Sequence, residues 1–564
     1  MGRFLYAMLV VLGMCFMSAG AAAQGLSAAA TARIDALFAS WDKTDSPGAA
    51  VAVLMDGRAV HSRGYGMANL EYRVPITPAT PFHVASVSKQ FTAFAIHLLA
   101  QEGKLSLDDE VRRYLPELQV GGAPITIRHL IHHTSGLRDQ WSLLMLAGLR
   151  LDDVITESDI LGLVWRQRSL NFAPGEEELY SNTGYTLLAQ IVQRVAGRPF
   201  AAFAKERIFE PLGMKNTHFH EQYGALVPGR AYSYEKATAG WRYLALSYSN
   251  VGATSLFTTL EDLARWDQNL QDGRVGGTAV AAAMLVRGKL NNGKDIDYAS
   301  GQVHGRIRGL ATVGHAGADA AFRAMQLRFP AQRLSVLVLA NGSDVNAEEL
   351  ARKVADVVLD GMPGVAPVVA AQPQPAEVAM TKEQLAPFLG SFEMRPGFVL
   401  EFTREGRQLM VQATGQPRFA MFAAAPDRFF TKAFPAEVRF EVAAANGQAA
   451  GATWRQGGRD LPLRRIALTP PSPEQLQACA GTYYSGELQA LYFLSVREGR
   501  LTVRYPRGER TLTPVTPGVF NAGFPLGTFS FQRGAEGKGC EGFALTTGRV
   551  RNLQFTRVSL VPAL

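Results

Sequence analysis

Residues 81–105 read PFHVASVSKQFTAFAIHLLAQEGKL, and this stretch decides how the chain is interpreted. Ser86 is followed three positions later by Lys89, and Phe91 to Leu99 carries apolar residues at helical spacing. If Ser86 begins this helix, Lys89 lies one turn further on the same face, and its amine reaches the serine hydroxyl. The start of a helix also directs backbone N–H groups towards a developing oxyanion. The stretch therefore predicts a nucleophilic serine at the tip of a buried helix.

Two other serine–lysine pairs have the same spacing and serve as a comparison. Ser40 with Lys43, and Ser233 with Lys236, lie in polar stretches that contain Trp or Tyr and lack an apolar helix. The context therefore favours Ser86 as the nucleophile. The alternative for Ser86 is a helix-capping serine beside a solvated lysine.

A second candidate motif lies in residues 171–192, NFAPGEEELYSNTGYTLLAQIV. Tyr180 and Asn182 stand there on a loop before an apolar helix. A tyrosine serves as a general base if a lysine nearby lowers its pKa, and an asparagine amide orients a substrate. Tyr248 and Asn250 repeat the pattern, and a tyrosine at such a junction is often only a packing residue.

A third candidate motif is His315-Ala316-Gly317, in residues 310–330, LATVGHAGADAAFRAMQLRFP. The pattern predicts an edge strand whose small residues let a substrate backbone approach closely. His315 is a candidate for binding a substrate carboxylate or relaying a proton, although a lone histidine is more often structural.

Together the three motifs resemble those of the penicillin-recognising serine hydrolases. That family carries Ser-x-x-Lys, Tyr-x-Asn and Lys- or His-x-Gly in this order, and the resemblance covers roughly residues 30–360. The closest branch contains class C β-lactamases, D-alanyl-D-alanine carboxypeptidases, D-aminopeptidases and related esterases. The resemblance implies an α/β fold with an antiparallel sheet flanked by helices and a helical subdomain.

The resemblance also implies a role for each catalytic residue. Ser86 attacks the carbonyl and forms an acyl-enzyme. Lys89 assists its deprotonation and supports Tyr180, which passes the proton to the leaving group and later activates water. The expected substrates are small esters, D-amino-acid peptides or amides. A true β-lactamase is the alternative, and a binding protein that senses cell-wall peptides or β-lactams without turnover is the alternative from another class.

The same resemblance implies the residues that bind the substrate. Asn182 holds its amide, the backbone N–H groups of Ser86 and Ala318 form an oxyanion hole, and His315 and Gly317 line the opposite strand. Typical β-lactamases have lysine at the position of His315, and this difference argues against efficient β-lactam hydrolysis.

The remaining sequence predicts further segments. Residues 361–380 are rich in Pro and Ala, and beyond them Gln384-Leu385 and Gln475-Leu476 begin two similar stretches of alternating strands. We expect a signal peptide over residues 1–23, a hydrolase domain over 25–362 and a linker over 363–380. Two copies of a small antiparallel β-module should follow, over 381–468 and 473–564.

The N-terminus predicts an exported protein, periplasmic or secreted. Arg3 precedes an uncharged run from Leu5 to Met17, and Ala21-Ala22-Ala23 follows as a small-residue cleavage site, as in a cleaved signal. An uncleaved membrane anchor is the alternative. Removal of the signal leaves Cys479 and Cys540, and whether they form a disulfide stays open.

The composition and the histidines exclude other classes of function. The net charge of +8 is scattered, without the basic and aromatic interleaving of a nucleic-acid surface. His129, His132 and His133 cluster, and His218 and His220 alternate, but neither group has the spacing of a zinc hydrolase. We therefore expect no metal, no cofactor and no nucleic acid. The expected partner is a small-molecule or peptide substrate, with cell-wall peptides among the candidates, and the oligomeric state stays open.

Overall fold

The computed structural model describes residues 25–360, 362, 364–366, 375–395, 397–442, 447–468, 470–534 and 539–559. The expected signal peptide, residues 1–23, and much of the expected linker lie outside these residues. Among the described residues, no helix combines the length and the apolar character that a membrane crossing needs.

A six-stranded antiparallel sheet forms the centre of the first domain. Its strands, in chain order, are β1 (Ala49–Met55), β2 (Arg58–Tyr65), β3 (Val303–Ile307), β4 (Leu310–Asp319), β5 (Phe322–Phe329) and β6 (Leu334–Ala340). In space the order is β3-β4-β5-β6-β1-β2, so the first strand pairs with the last, from Ala49 opposite Ala340 to Met55 opposite Leu334. β6 is buried along its whole length, because helices cover both faces of the sheet.

Helices cover the sheet on both sides. The five longest helices of the described residues are α1 (Ala28–Phe38), α2 (Lys89–Gln101), α3 (Asn182–Ala196), α4 (Leu260–Asp272) and α5 (Ala347–Leu359). α1 and α5 share one apolar cluster with β1 and β6, whereas α2, α3 and α4 belong to a larger cluster on the other side. The shorter helices are Ile127–Ile131, Gln140–Ala147, Glu157–Trp165, Phe200–Ala204, Glu210–Leu212 and Gly277–Ala283. Short 3-10 turns lie at Ala85–Ser88, Val111–Arg113 and Pro330–Gln332, and a π-helical segment spans Lys205–Phe209. This architecture confirms the expected α/β fold.

The first β-module is a closed barrel. Its eight strands are Gly390–Arg395, Phe398–Glu405, Gln408–Ala413, Arg418–Ala425, Arg428–Thr431, Ala436–Val442, Ala449–Gln456 and Arg459–Ile466. The barrel closes where Ser391 pairs with Ile466, and phenylalanines dominate its interior.

The second β-module is a nine-stranded antiparallel sheet in which, as in the first module, the first strand pairs with the last, Thr482 lying opposite Val558. Its strands are Gly481–Ser485, Ala490–Arg497, Arg500–Tyr505, Gly508–Thr511, Thr513–Thr516, Val519–Asn521, Thr528–Arg533, Cys540–Thr547 and Val550–Val558. The repeated Gln-Leu pairs have a physical basis, since Gln384 and Gln475 each complete a capping box at the start of a short helix, Lys382–Leu385 and Pro473–Cys479. The structure also joins Cys479 to Cys540 in a disulfide.

Candidate active site

Ser86 is presented by a short turn that continues into α2. The turn spans Ala85–Ser88, so α2 begins at Lys89 and not at Ser86 itself. Ala85 has a left-handed backbone (φ 47°), an uncommon conformation for a residue with a side chain. Ser88 holds the turn, because its hydroxyl donates to the Ala85 carbonyl (2.5 Å) and accepts from the Leu256 N–H (3.2 Å).

Strand β4 lies directly against this turn. β3 pairs with β4 only as far as Gly314, so His315 to Asp319 extend beyond it, as an edge strand would. A Cβ added to Gly317 would lie 2.3 Å from the Val84 carbonyl oxygen and 3.2 Å from the Ser86 nitrogen. Only glycine therefore allows this approach of strand and turn.

Lys89 is buried and contacts Ser86. Its Nζ lies 3.1 Å from Ser86 Oγ, 2.8 Å from Asn182 Oδ1 and 2.7 Å from the Ala253 carbonyl oxygen. Burial lowers the pKa of Lys89 well below its usual value, and Asp319 and Asp139 only partly oppose this effect. A neutral amine donates two of these hydrogen bonds and accepts the Ser86 proton in the third.

Asn182 is held by a carboxylate on its other side. Asp139 Oδ2 accepts hydrogen bonds from the backbone N–H of Asn182 (2.9 Å) and from its Nδ2 (2.8 Å). The second oxygen of Asp139 caps the helix Gln140–Ala147. The Asn182 amide is therefore oriented with its oxygen towards Lys89.

Tyr180 lies beside Lys89 and Ser86, and its phenol is protonated, whereas the sequence predicted a phenolate. Burial raises its pKa above the usual range, and this effect outweighs the nearby Ser86 hydroxyl and the charge of Arg549, which both favour the phenolate. No well-formed hydrogen bond satisfies its hydroxyl among the described residues. The expectation that lysine charge lowers the Tyr180 pKa is therefore wrong, since desolvation dominates.

His315 makes its hydrogen bonds inside the protein. Its Nδ1 donates to the Ala316 carbonyl (2.6 Å), and its Nε2 accepts from the Tyr298 hydroxyl (3.0 Å). Burial, first, and the nearby Lys89 lower the His315 pKa to about 4, so the ring is neutral at pH 7. This arrangement disagrees with direct binding of a substrate carboxylate by His315.

A cavity of about 620 Å³ opens over Ser86. Five residues singled out in the sequence line it: Ser86, Tyr180, Asn182, Gly317 and Ala318. Lys89 and His315 are buried.

Sequence reasoning missed several other residues that line the cavity. They are Trp141, Thr254, Asp319, Arg323 and Arg549 among others. Burial raises the pKa of Asp319, although it accepts a hydrogen bond from Thr254. Arg549 belongs to the second β-module, and no local pattern connects it with Ser86.

The competing serine and tyrosine motifs contribute no lining residue to this cavity, although Tyr248 lies behind the lining residue Trp141. Ser40 and Lys43 are exposed, Ser233 is buried while Lys236 is exposed, and Tyr248 packs on Trp141 with ring centroids 4.7 Å apart.

The clustered histidines have structural surroundings. His129 completes a capping box, and His133 packs on Tyr180 with ring centroids 4.2 Å apart and accepts from the Ser181 N–H (3.2 Å). His218 and His220 pack around Phe257. Within the described ranges, no three His, Cys, Asp or Glu residues are grouped so as to hold a metal ion.

Comparison with known proteins assigns the family. The family model described as Beta-lactamase matches residues 33–359. The chain therefore belongs to the Beta-lactamase family of penicillin-recognising serine hydrolases, which confirms the resemblance, and it is a serine hydrolase.

Individual relatives agree with this assignment. The chain is 30% identical to penicillin-binding protein 4* of Bacillus subtilis over 407 residues, which cover 68% of this chain and 88% of that protein. It is 26% identical to a D-aminopeptidase of Cereibacter sphaeroides over 526 residues, 91% and 96% of the two chains. Its fold is similar to that of the octameric penicillin-binding protein homologue from Pyrococcus abyssi (TM-score 0.54, 21% identity, 85% of this chain and 98% of that one).

Proposed function

We propose that this serine hydrolase acts on small esters, D-amino-acid peptides or D-amino-acid amides through an acyl-enzyme on Ser86. The observation that carries the proposal is the buried contact of 3.1 Å between Lys89 Nζ and Ser86 Oγ at the floor of the cavity. A nucleophilic serine needs an adjacent base, and an amine whose pKa is lowered by burial supplies one near neutral pH.

In the proposed acylation step, Lys89 accepts the Ser86 proton while Oγ attacks the substrate carbonyl. The backbone N–H groups of Ser86 and Ala318, which both line the cavity, stabilise the oxyanion. The neutral Tyr180 phenol donates its proton to the leaving group and regains one from Lys89. Water then releases the acyl group by the reverse sequence.

Asn182 has two roles in this proposal. Its Oδ1 fixes the Lys89 amine, and one hydrogen of Nδ2 is donated to Asp139. The second hydrogen of Nδ2 is left for a substrate carbonyl in the cavity.

The choice of substrate class rests on a relative and on His315. One relative, aligned along 91% of this chain, is a D-aminopeptidase. The strand position at which typical β-lactamases carry lysine holds a neutral histidine here.

A substrate panel tests the proposal. It consists of a nitrophenyl ester, a D-Ala-D-Ala peptide, a D-amino-acid amide and a chromogenic cephalosporin. We expect turnover of the ester and of at least one D-amino-acid substrate, complete loss in Ser86→Ala, and an acyl adduct on Ser86 by mass spectrometry. Ser40→Ala, an exposed serine of the competing motif, is the control and should keep full activity. An active Ser86→Ala enzyme would falsify the assignment.

Two further variants separate the proton-transfer roles. Lys89→Ala should lose acylation by every substrate, because no base remains. Tyr180→Phe should lose much more activity on the amide than on the nitrophenyl ester, because nitrophenolate leaves without a proton. Equal losses of activity on both substrates would show that Tyr180 is not the proton donor to the leaving group.

We also propose export to the periplasm or medium, based on the signal-like residues 1–23 and on the disulfide, which oxidising compartments favour. Fractionation of expressing cells, together with the N-terminal sequence of the mature protein, tests this. Recovery of the intact chain in the cytosol alone would contradict it.

A further inference from the structure

The second β-module reaches the catalytic cavity through a single turn. This turn, residues 547–550, connects the strands Cys540–Thr547 and Val550–Val558. Arg549 lies on it and lines the cavity. Its guanidinium carbon is 4.7 Å from the centroid of the Tyr180 ring. The site of the first domain is thus completed by a residue of the last.

The backbone around Arg549 is fixed by the catalytic domain. Asn171 Nδ2 donates to the Arg549 carbonyl (3.0 Å), and Asn171 Oδ1 accepts from the Arg551 N–H (2.7 Å). The backbone N–H of Asp139 also donates to the Arg549 carbonyl (3.3 Å). The position of Arg549 is therefore determined by hydrogen bonds to its own main chain.

A buried arginine of the catalytic domain fastens the same region. The Arg138 side chain is inaccessible to solvent and donates to Glu487 (2.7 Å) and to the carbonyls of Arg551 (3.1 Å) and Asn552 (3.2 Å). All three of these contacts join the catalytic domain to the second β-module, and breaking a buried pair of this kind leaves an uncompensated charge. The module is docked at a defined position over the cavity.

The Arg549 guanidinium itself is left for a ligand. Its side chain is 44% exposed, and among the described residues it makes no hydrogen bond. The nearest carboxylate oxygen, Asp139 Oδ2, is 3.9 Å away and already accepts from Asn182. A guanidinium presents a planar fork of donors that matches a carboxylate.

We propose that Arg549 is a specificity-determining residue that binds a free carboxylate on the leaving-group side of the scissile bond. The side follows from its stacking on Tyr180, the proposed proton donor to the leaving group. The preferred substrates are then peptides whose last residue carries a free carboxylate. This inference rests on the proposed function of Ser86 and Tyr180.

The test uses two peptides that differ in one charge, an acyl-D-Ala-D-Ala peptide and the same peptide with a C-terminal amide. We expect the wild type to prefer the acid, and we expect Arg549→Gln to lower the ratio of kcat/KM on the acid to that on the amide by on the order of 10- to 100-fold. Arg549→Lys should keep part of the preference, since it retains the charge and loses the fork. Arg500→Gln, an exposed arginine of the same module, is the matched control.

The outcomes separate this inference from the proposed function. If the wild type shows no preference, or if Arg549→Gln lowers both peptides equally, the carboxylate role is refuted while the Ser86 mechanism stands. If Ser86→Ala still cleaves either peptide, the proposed function itself fails.

Discussion

Replacing Asp139 by asparagine should reveal how far the catalytic amine depends on one buried carboxylate. Asp139 is almost fully buried and accepts four hydrogen bonds, two from Asn182 and one each from the backbone N–H groups of Trp141 and Ser142. The amide of Asp139→Asn keeps only one acceptor oxygen, so one of the two pairs of donors must face its NH₂ group.

The structure sets the magnitude. Turning the NH₂ group towards Asn182 forfeits two hydrogen bonds to a charged acceptor, at about 1.5–3 kcal/mol each. Turning it towards the helix forfeits the cap, at about 1–2 kcal/mol. The second orientation costs less, so we expect the free energy of unfolding to fall by about 2 kcal/mol.

The charge change has a separate effect on Lys89. The Asp139 carboxylate favours the ammonium form, so its removal lowers the Lys89 pKa further. The neutral amine then forms at lower pH, and the acid limb of kcat/KM should move to lower pH.

Urea titration and pH–rate profiles on the nitrophenyl ester measure the two effects. Asp153→Asn removes an exposed carboxylate and is the control, with a change expected below about 0.5 kcal/mol. The reasoning is refuted if Asp139→Asn is as stable as the control variant, or if its acid limb moves to higher pH.

Three other predictions concern the strand, the histidine and the disulfide. Gly317→Ala places a methyl group 2.3 Å from the Val84 carbonyl oxygen beside the serine turn, so it should remove most activity on every substrate. Gly162→Ala, whose new methyl group would lie no closer than 3.5 Å to a neighbouring side chain, is the control and should keep its activity. Because the His315 pKa is about 4, this histidine does not titrate between pH 5.5 and 8, so His315→Asn should leave the shape of the pH–rate profile in that range unchanged. An inflection near pH 6.5 in the wild type that disappears in the variant would contradict this. Joint replacement of Cys479 and Cys540 by alanine opens a loop of 61 residues and should destabilise the second β-module by about 4 kcal/mol, measured by thermal unfolding of both proteins; equal midpoints would count against it.

The sequence predicted the parts of the site that depend on local geometry. Ser86 and Lys89 are three positions apart, so the pitch of a helix is enough to bring them together. The fold class followed from the resemblance, and the Beta-lactamase family model confirms it.

The rest depends on contacts that no local pattern reveals. Arg549 meets Tyr180 across 369 positions of the chain and from a different module. The Tyr180 pKa was expected in the wrong direction, because motif spacing shows the lysine but not the burial. The repeated Gln-Leu pairs, by contrast, identified two helix starts that are local features, each a capping box before an antiparallel β-module.

The pairing of β1 with β6 has a consequence for the order of folding. Residue 49 meets residue 340, so the central sheet closes only after nearly the whole domain has been synthesised. Contacts of such large sequence separation slow folding, because the entropy of closing the chain is lost before the strands stabilise each other. The serine turn lies between these strands along the chain and rests against β4. A chain that stops before residue 300 therefore has its nucleophile but lacks the strand β4 against which the serine turn rests.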